Sequence, residues 1–294
     1  MGRYGPTKIR MNEPSNSRIW LITGSSSGFG LALASAVLAS HDRVIATARH
    51  LESLQPLAEQ YPETCRLIAL DVTDSNQVKN AIAEGVAAFG RIDVVVNNAG
   101  YGLIGAFEEL ESKQITDNFN TNFFGALEVI RGVLPILRAQ KSGHLVNMSA
   151  AAVIANYAGF SIYGASKWAL EGLSESLAIE LKPMGIKVTI VQPGPFRTNF
   201  IGGSLQCAEN HISDYDRTSG KFLQFLKKMD GHQPGDPAKA AQAIIAAVKA
   251  ERPPLRLVLG KYANEKAGKS FVTAENERAQ WEPIGMPTEF SSQP

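Results

Sequence analysis

A chain of 294 residues has the length of one large domain or two small ones, and its 44% apolar content is enough to fill a core of that size. A net charge of +1, with acids and bases interspersed and no basic stripe carrying aromatics, excludes nucleic acid as the expected partner. Cys65, Cys207 and the five histidines show no metal-ligand spacing, which excludes a metal centre and suggests reduced thiols in a cytoplasmic chain.

Residues 1–17 read as a flexible tail. Their charges have no apolar stretch behind them, so they are not a secretory signal, and Pro6 stands where a myristoylation motif carries Ser or Thr. No run of about 18 apolar residues follows, so no helix is expected to span a membrane. RIWLIT (18–23) has the composition of a strand and LALASAVLAS (31–40) that of a helix, with TGSSSGFG (23–30) between them. Gly24, Gly28 and Gly30 let backbone approach a pyrophosphate at a helix N-terminus, or simply make a tight turn. RVIATA (43–48) is a second strand, followed by Arg49 where an acid would bind a ribose 2′-hydroxyl; an arginine there suits a 2′-phosphate or is a solvated surface charge.

Residues 51–60 look helical and RLIAL (66–70) is a third strand. Asp71 after it either meets a nucleotide base or starts the next helix, which Asp74 caps and which runs to about Phe89. IDVVVNN (92–98) is apolar on both faces, as a strand covered by helices on both sides should be. It ends in NNAG (97–100), where Asn98 braces neighbouring strands and Ala99 and Gly100 leave room for a flat ligand. A long helix is expected over 112–139, with a bend at Pro135, then a fifth strand HLVNMS (144–149).

Ser161 to Leu181 forms a helix whose Tyr163 and Lys167 share one face. Such a pair is either an amphipathic face or an acid–base couple. Bringing a tyrosine pKa of about 10 near neutrality takes roughly 4 kcal/mol, within reach of a neighbouring ammonium acting with a positive ligand ring. KVTIVQP (187–193) is the sixth strand, and Pro193 and Gly194 of QPGPFRT turn the chain toward Thr198. Residues 199–234 are polar and glycine-rich around one short apolar helix, FLQFL (222–226), and are expected to fold over the site as a lid. Asp236 caps a helix with Pro237 in its first turn, LRLVLG (255–260) is the last strand, and 262–281 is a final helix.

This alternation implies an α/β fold, a doubly wound parallel sheet of the Rossmann type with helices in layers on both faces. It is expected as a single domain: tail 1–17, catalytic and dinucleotide-binding region 18–260 including the lid 199–234, and a C-terminal extension 261–294.

Taken in order, TGSSSGFG, Arg49, Asp71, NNAG, Asn122 in NTNFFG, YGASK and PGPFRT resemble the short-chain dehydrogenase/reductase family. The resemblance covers about 18–200 strongly and the remainder loosely. It implies hydride exchange between a nicotinamide and a carbonyl or alcohol carbon. By the same resemblance Tyr163 is the proton donor, Lys167 lowers its pKa and binds ribose, and Asn122 holds a relay water. Gly24, Ser26, Gly28, Phe29, Gly30, Arg49, Asp71, Val72, Asn98, Ala99, Gly100, Pro193 and Thr198, together with Tyr163 and Lys167, match cofactor contacts. The cofactor expected from Arg49 is NADP(H). Family members pair the helices that correspond to 112–139 and 161–181, so a homodimer or homotetramer is implied.

One residue departs from the family pattern. The active serine stands thirteen residues before the tyrosine, and that position is Ala150; Ser149 precedes it. Ser149 is retained as a catalytic candidate, although side chains on a strand alternate faces and a one-residue offset turns it away unless the strand bulges. The leading expectation is an NADP(H)-dependent reductase or alcohol dehydrogenase for a lipophilic substrate such as a polyketide, terpenoid, steroid or retinoid, as in secondary metabolism. The alternatives are a non-redox reaction on the same fold (cyclisation, isomerisation or cycloaddition) and a protein that senses NADP(H), against which the intact Tyr163–Lys167 pair argues.

Overall fold

The computed structural model describes residues 17–290, so nearly all of the expected N-terminal tail lies outside the described residues. The first half runs β1 (Ile19–Ile22), α1 (Gly28–Ala39), β2 (Arg43–Ala48), α2 (Gln55–Gln60), β3 (Cys65–Ala69), α3 (Ser75–Phe89), β4 (Val94–Asn97), β5 (Gly102–Ile104), α4 (Ser112–Phe119) and α5 (Gly125–Gln140). The second half runs β6 (Gly143–Met148), α6 (Ser161–Leu181), β7 (Ile186–Pro193), α7 (Phe200–Gly203), β8 (Leu205–Cys207), α8 (Lys221–Met229), α9 (Pro237–Lys249), β9 (Arg256–Leu259) and α10 (Lys261–Gly285).

Seven parallel strands form one sheet in the order β3-β2-β1-β4-β6-β7-β9. The chain builds β1, β2 and β3 outward in one direction, then returns to place β4 on the other side of β1. That reversal opens a crevice at the carboxyl ends of β1 and β4, where ligands bind in open α/β sheets. Side chains alternate between two helical layers. Trp20, Ile22, Val94 and Val96 pack with α1 and α9, whereas Ile19, Leu21 and Val95 pack with α3, α5 and α6. The chain is a single domain of the Rossmann type. The expected helix caps form: the Asp74 carboxylate accepts from the backbone N–H groups of Asn76 and Gln77, and that of Asp236 accepts from Ala238.

Two expectations change. The helix expected over 112–139 runs from Ser112 to Gln140, but a π-helical segment, Asn120–Phe124, separates α4 from α5 within it. The chain runs through Pro135 inside α5; Pro135 lies on that helix's exposed side, where a carbonyl deprived of its N–H partner turns to water. The region expected as polar loop, 199–234, is largely structured. Its β8 pairs in parallel with β5, and the buried Glu109 carboxylate accepts from the backbone N–H groups of Ala106 and Ile212, tying this segment down. Helix α8 extends the expected FLQFL segment to Met229.

Helix α9 lays Ala240, Ala241, Ile244 and Val248 against α1 in the core. Ile244 is 1% exposed. Ile244→Ala is therefore expected to lower the unfolding free energy by about 2–5 kcal/mol, measured by urea denaturation.

Candidate active site

The nucleotide candidates converge at the β1–β4 crevice because side chains there are absent or small. Gly24 has φ +64°, and a Cβ on it would lie 2.8 Å from the Ala99 Cα. A Cβ on Gly30 would lie 2.3 Å from the Gly24 carbonyl oxygen and 2.6 Å from the Asn98 amide nitrogen, so α1 can approach the turn only with glycine there. Asn98 donates to the carbonyls of both Thr23 and Gly24 at 2.9 Å, and the Thr23 hydroxyl accepts from the N–H groups of Asn98 and Ala99 at 3.0 Å. These bonds lock the end of β4 onto the turn after β1, the bracing expected of Asn98.

The first turn of α1 carries no acidic residue, leaving the N–H end of that helix electropositive. Ser26 is partly buried in this turn, and Phe29 packs on Phe196 with ring centroids 5.1 Å apart. Thr198 lies beside Gly28, 3.5 Å from where a Cβ would stand, and Pro193 ends β7 with its carbonyl accepting the Ala151 N–H. This cradle of bare backbone around a helix N-terminus fits an elongated phosphate-bearing cofactor.

Arg49, Asp71 and Val72 follow β2 and β3 at the same sheet edge. The carbonyl of Thr47 accepts the Ser25 N–H at 2.8 Å, which keeps the end of β2 next to the glycine turn. Arg49 is exposed and forms no hydrogen bond or ion pair with another described residue. The Asp71 carboxylate accepts from both the N–H and the hydroxyl of Thr73, so it also stabilises its own loop. Val72 is buried beneath Gly125, whose Cβ would meet it at 2.6 Å.

The reaction candidates lie on α6 and in the π-helical segment. Asn122 is 1% exposed; its Oδ1 accepts the Tyr101 N–H at 2.9 Å while its amide donates to the Tyr101 carbonyl and to Ser166 Oγ. The extra residue of the π turn aims this amide at the loop after β4. Lys167 is buried one helical turn beyond Tyr163, and its ammonium donates to the Met148 carbonyl at 2.9 Å. Gly100 is flanked by Asn122 Oδ1 and Lys167 Nζ, which would stand 2.8 and 3.3 Å from a Cβ there. Asn122, Lys167 and Gly100 thus meet.

Burial pushes the Tyr163 phenol well above its usual value and brings the Lys167 ammonium down to about 8. In the cofactor-free chain the tyrosine therefore keeps its proton at neutral pH. Its hydroxyl makes no hydrogen bond with another described residue.

Ser149 does not join this group, which corrects its place among the expected catalytic residues. It is buried and its hydroxyl donates to the Glu171 carboxylate at 2.6 Å. Ala150 instead packs with Tyr163, Ile104, Phe160 and Leu226. The strand end does not bulge, so alternation sends the serine and the alanine to opposite sides.

Glu171 was missed from the sequence. Only 2% exposed, it also accepts two bonds from the Gln192 amide, at 2.8 and 3.0 Å, and one from Arg256. The signal was present, since Glu171 stands four residues after Lys167 and eight after Tyr163 on the same helical face. Also missed was an aromatic wall. Tyr157 stacks on Phe222 of α8 at 4.8 Å, and Phe160 sits edge-on to both Phe222 and Tyr163. Behind it, Lys266 of α10 places its ammonium 3.4 Å from the centre of the Tyr157 ring, and the Tyr157 and Tyr262 hydroxyls share a bond of 3.0 Å.

Residues 18–206 match the family of short chain dehydrogenases. An oxidoreductase of the fungus Botryotinia fuckeliana, named BOA17, is 40% identical over 92% of this chain and 98% of its own length. Human retinol dehydrogenase 8 is 36% identical over 81% of this chain and 80% of its own. The solved structure of a short-chain dehydrogenase from Streptomyces avermitilis is 42% identical and superposes with a TM-score of 0.88, covering 94% of this chain and all of that one. Other solved structures with this fold hold NADP or NAD.

Two outcomes follow from the buried network. Ser149→Ala leaves the Glu171 carboxylate short of a donor and should cost about 1–3 kcal/mol of stability in denaturant unfolding. Lys167 holds its proton less tightly folded, at about 8, than unfolded, at 10.5. Unfolded chains then bind more protons between those values, so this residue's contribution to stability is flat below about pH 8 and rises above it. Lys167→Met should remove that rise between about pH 8 and 9.5, measured by unfolding at a series of pH values.

Proposed function

The chain belongs to the short-chain dehydrogenase family, and from that premise we propose that it is an NADP(H)-dependent oxidoreductase interconverting a carbonyl and an alcohol on a small lipophilic substrate. The observation that carries this reading is the Tyr163 hydroxyl. Burial holds its proton, it makes no hydrogen bond with another described residue, and its ring packs in an apolar cluster one turn from a buried lysine. The reduced nicotinamide supplies a hydride when bound. In the direction of reduction the carbonyl π bond breaks, the carbon gains the hydride with its electron pair, and the oxygen takes the Tyr163 proton. Lys167 steadies the phenolate left behind, and its attachment to the Met148 carbonyl and its position beside Asn122 support a proton path back to solvent.

Arg49 at the end of β2, with no acid beside it before Glu52, supports NADP(H) over NAD(H). The aromatic wall of Tyr157, Phe160 and Phe222, with Phe200 tilted on Tyr163 at 5.8 Å, supports a lipophilic substrate under the lid 199–234. In this reading 18–260 is the catalytic region and 261–294 an extension against it. Exposed Phe124, Trp168 and Ile179 on the helices expected to pair support a homo-oligomer. Two free cysteines support a cytoplasmic setting, and no helix among the described residues is long and apolar enough to cross a membrane.

Ala150 favours a second reading, in which the fold carries out a non-redox cyclisation, isomerisation or cycloaddition with Tyr163 as acid. Product formed without consumption of NADPH would select it.

Tyr163→Phe should lower carbonyl-dependent NADPH oxidation by at least about a hundredfold while NADPH still binds. Arg49→Asp should weaken NADPH binding about tenfold or more and leave NADH binding within a few-fold, measured by nucleotide fluorescence titration.

A further inference from the structure

Resting on the carbonyl-reductase reading, one question about the pocket remains: which groups can donate a hydrogen bond to the reacting oxygen besides Tyr163. The apolar side chains clustered with Tyr163 beyond the end of β6 are Ala150, Ala152, Ile104, Phe160 and Leu226, with Phe200 tilted on its ring. The nearby side-chain hydroxyls are engaged elsewhere. Ser149 donates to Glu171, Ser166 to the Tyr163 carbonyl and Ser219 to the Tyr215 carbonyl, while the Lys167 ammonium is anchored on the Met148 carbonyl one turn beyond Tyr163. The Asn122 amide is held by Tyr101, Asn118 and Ser166, and the Tyr157 hydroxyl by Tyr262. Ser161 has a buried hydroxyl without a partner, but it leaves α6 two residues before Tyr163, about 200° around the helix.

Among the described side chains, Tyr163 is thus the unbonded hydroxyl that this apolar cluster itself holds. Loss of a second donor in such a setting costs about a hundredfold to a thousandfold in rate. A hydrogen bond made inside a dry, apolar site is stronger than the same bond in water.

We propose that the substrate supplies the missing donor itself: a hydroxy ketone whose own hydroxyl, close enough to bond its carbonyl oxygen, lies against the Ala150 methyl while Tyr163 donates from the other side. The substrate class is a lipophilic β-hydroxy or ortho-hydroxyaryl ketone. During reduction the substrate hydroxyl keeps its proton. It only hydrogen-bonds the oxygen, and the transferred proton still comes from Tyr163.

The test uses the full chain, NADPH and matched pairs in which methylation removes the donor: 2′-hydroxy- and 2′-methoxyacetophenone, and 4-hydroxy- and 4-methoxy-2-butanone. The wild type should prefer the hydroxy member of each pair by about tenfold or more in kcat/KM. Ala150→Ser, shown to be folded by retained NADPH binding, should bring that ratio close to parity, chiefly by raising turnover of the methoxy ketones. Calorimetric titration of the four ketones without NADPH should show the same preference, weaker, in the wild type. Equal kcat/KM within both pairs in the wild type overturns the proposal. So does an unchanged ratio in Ala150→Ser, or loss of methoxy-ketone turnover in Ser161→Ala, which would make Ser161 the donor. NADPH oxidation with equal rates removes this inference alone, whereas no NADPH oxidation with any ketone in either protein removes the reductase reading with it.

Discussion

Two consecutive residues at the end of β6 grip α6 at two points one helical turn apart. The Met148 carbonyl accepts the Lys167 ammonium, and the Ser149 hydroxyl donates to the Glu171 carboxylate. Two attachments at that spacing fix both the rotation of the helix about its axis and its position along the strand. The orientation of Tyr163 follows from them, being four residues before Lys167 on the same face. So does the composition of the pocket. With Ser149 drawn under the helix, strand alternation leaves Ala150 in the apolar cluster that holds Tyr163. Gln192 and Arg256 complete the Glu171 cluster from β7 and β9, so three strands hold the one helix that carries Tyr163 and Lys167. A carboxylate this deeply buried is tolerable because its lone pairs are occupied.

The same burial determines the charge states. The lysine is made easier to deprotonate and the tyrosine harder, which leaves the tyrosine holding its proton before a cofactor arrives. An apolar surround also enlarges the effect of every polar group that remains. One hydroxyl more or less at position 150 therefore matters far more here than on an open surface.

Much of this was legible from local pattern. Apolar runs such as VVV in β4 are what a strand covered on both faces requires, and caps such as Asp74 and Asp236 act through neighbours two or three residues away. The glycine turn was legible as a turn, but the reason for its glycines lies in Ala99 and Asn98, some 70 residues further on. The π turn in the long helix was not legible. Asn120, Thr121, Asn122 and Gly125 are weak helix formers, but they do not say which turn takes the extra residue, and the π turn answers to tertiary partners, Asn122 to the Tyr101 backbone and Gly125 to Val72. Pro135 drew attention as the expected bend because proline is a local signal, yet α5 continues through it. At Ser149, alternation told which way the side chain would face, but not that Glu171 would be waiting for it.

The wall of Tyr157 and Phe222 has a backing contributed by Tyr262, Lys266 and, through its bond to the Ile154 carbonyl, Ser270, all on α10. That helix is synthesised after every other element described. The sheet accretes in chain order on the side of β4, β6, β7 and β9, so the crevice at β1 and β4 and the grip on α6 have their parts emerge from the ribosome earlier. The backing of this aromatic wall is therefore completed last, and a nascent chain stalled short of α10 leaves Tyr157 and Phe222 without it.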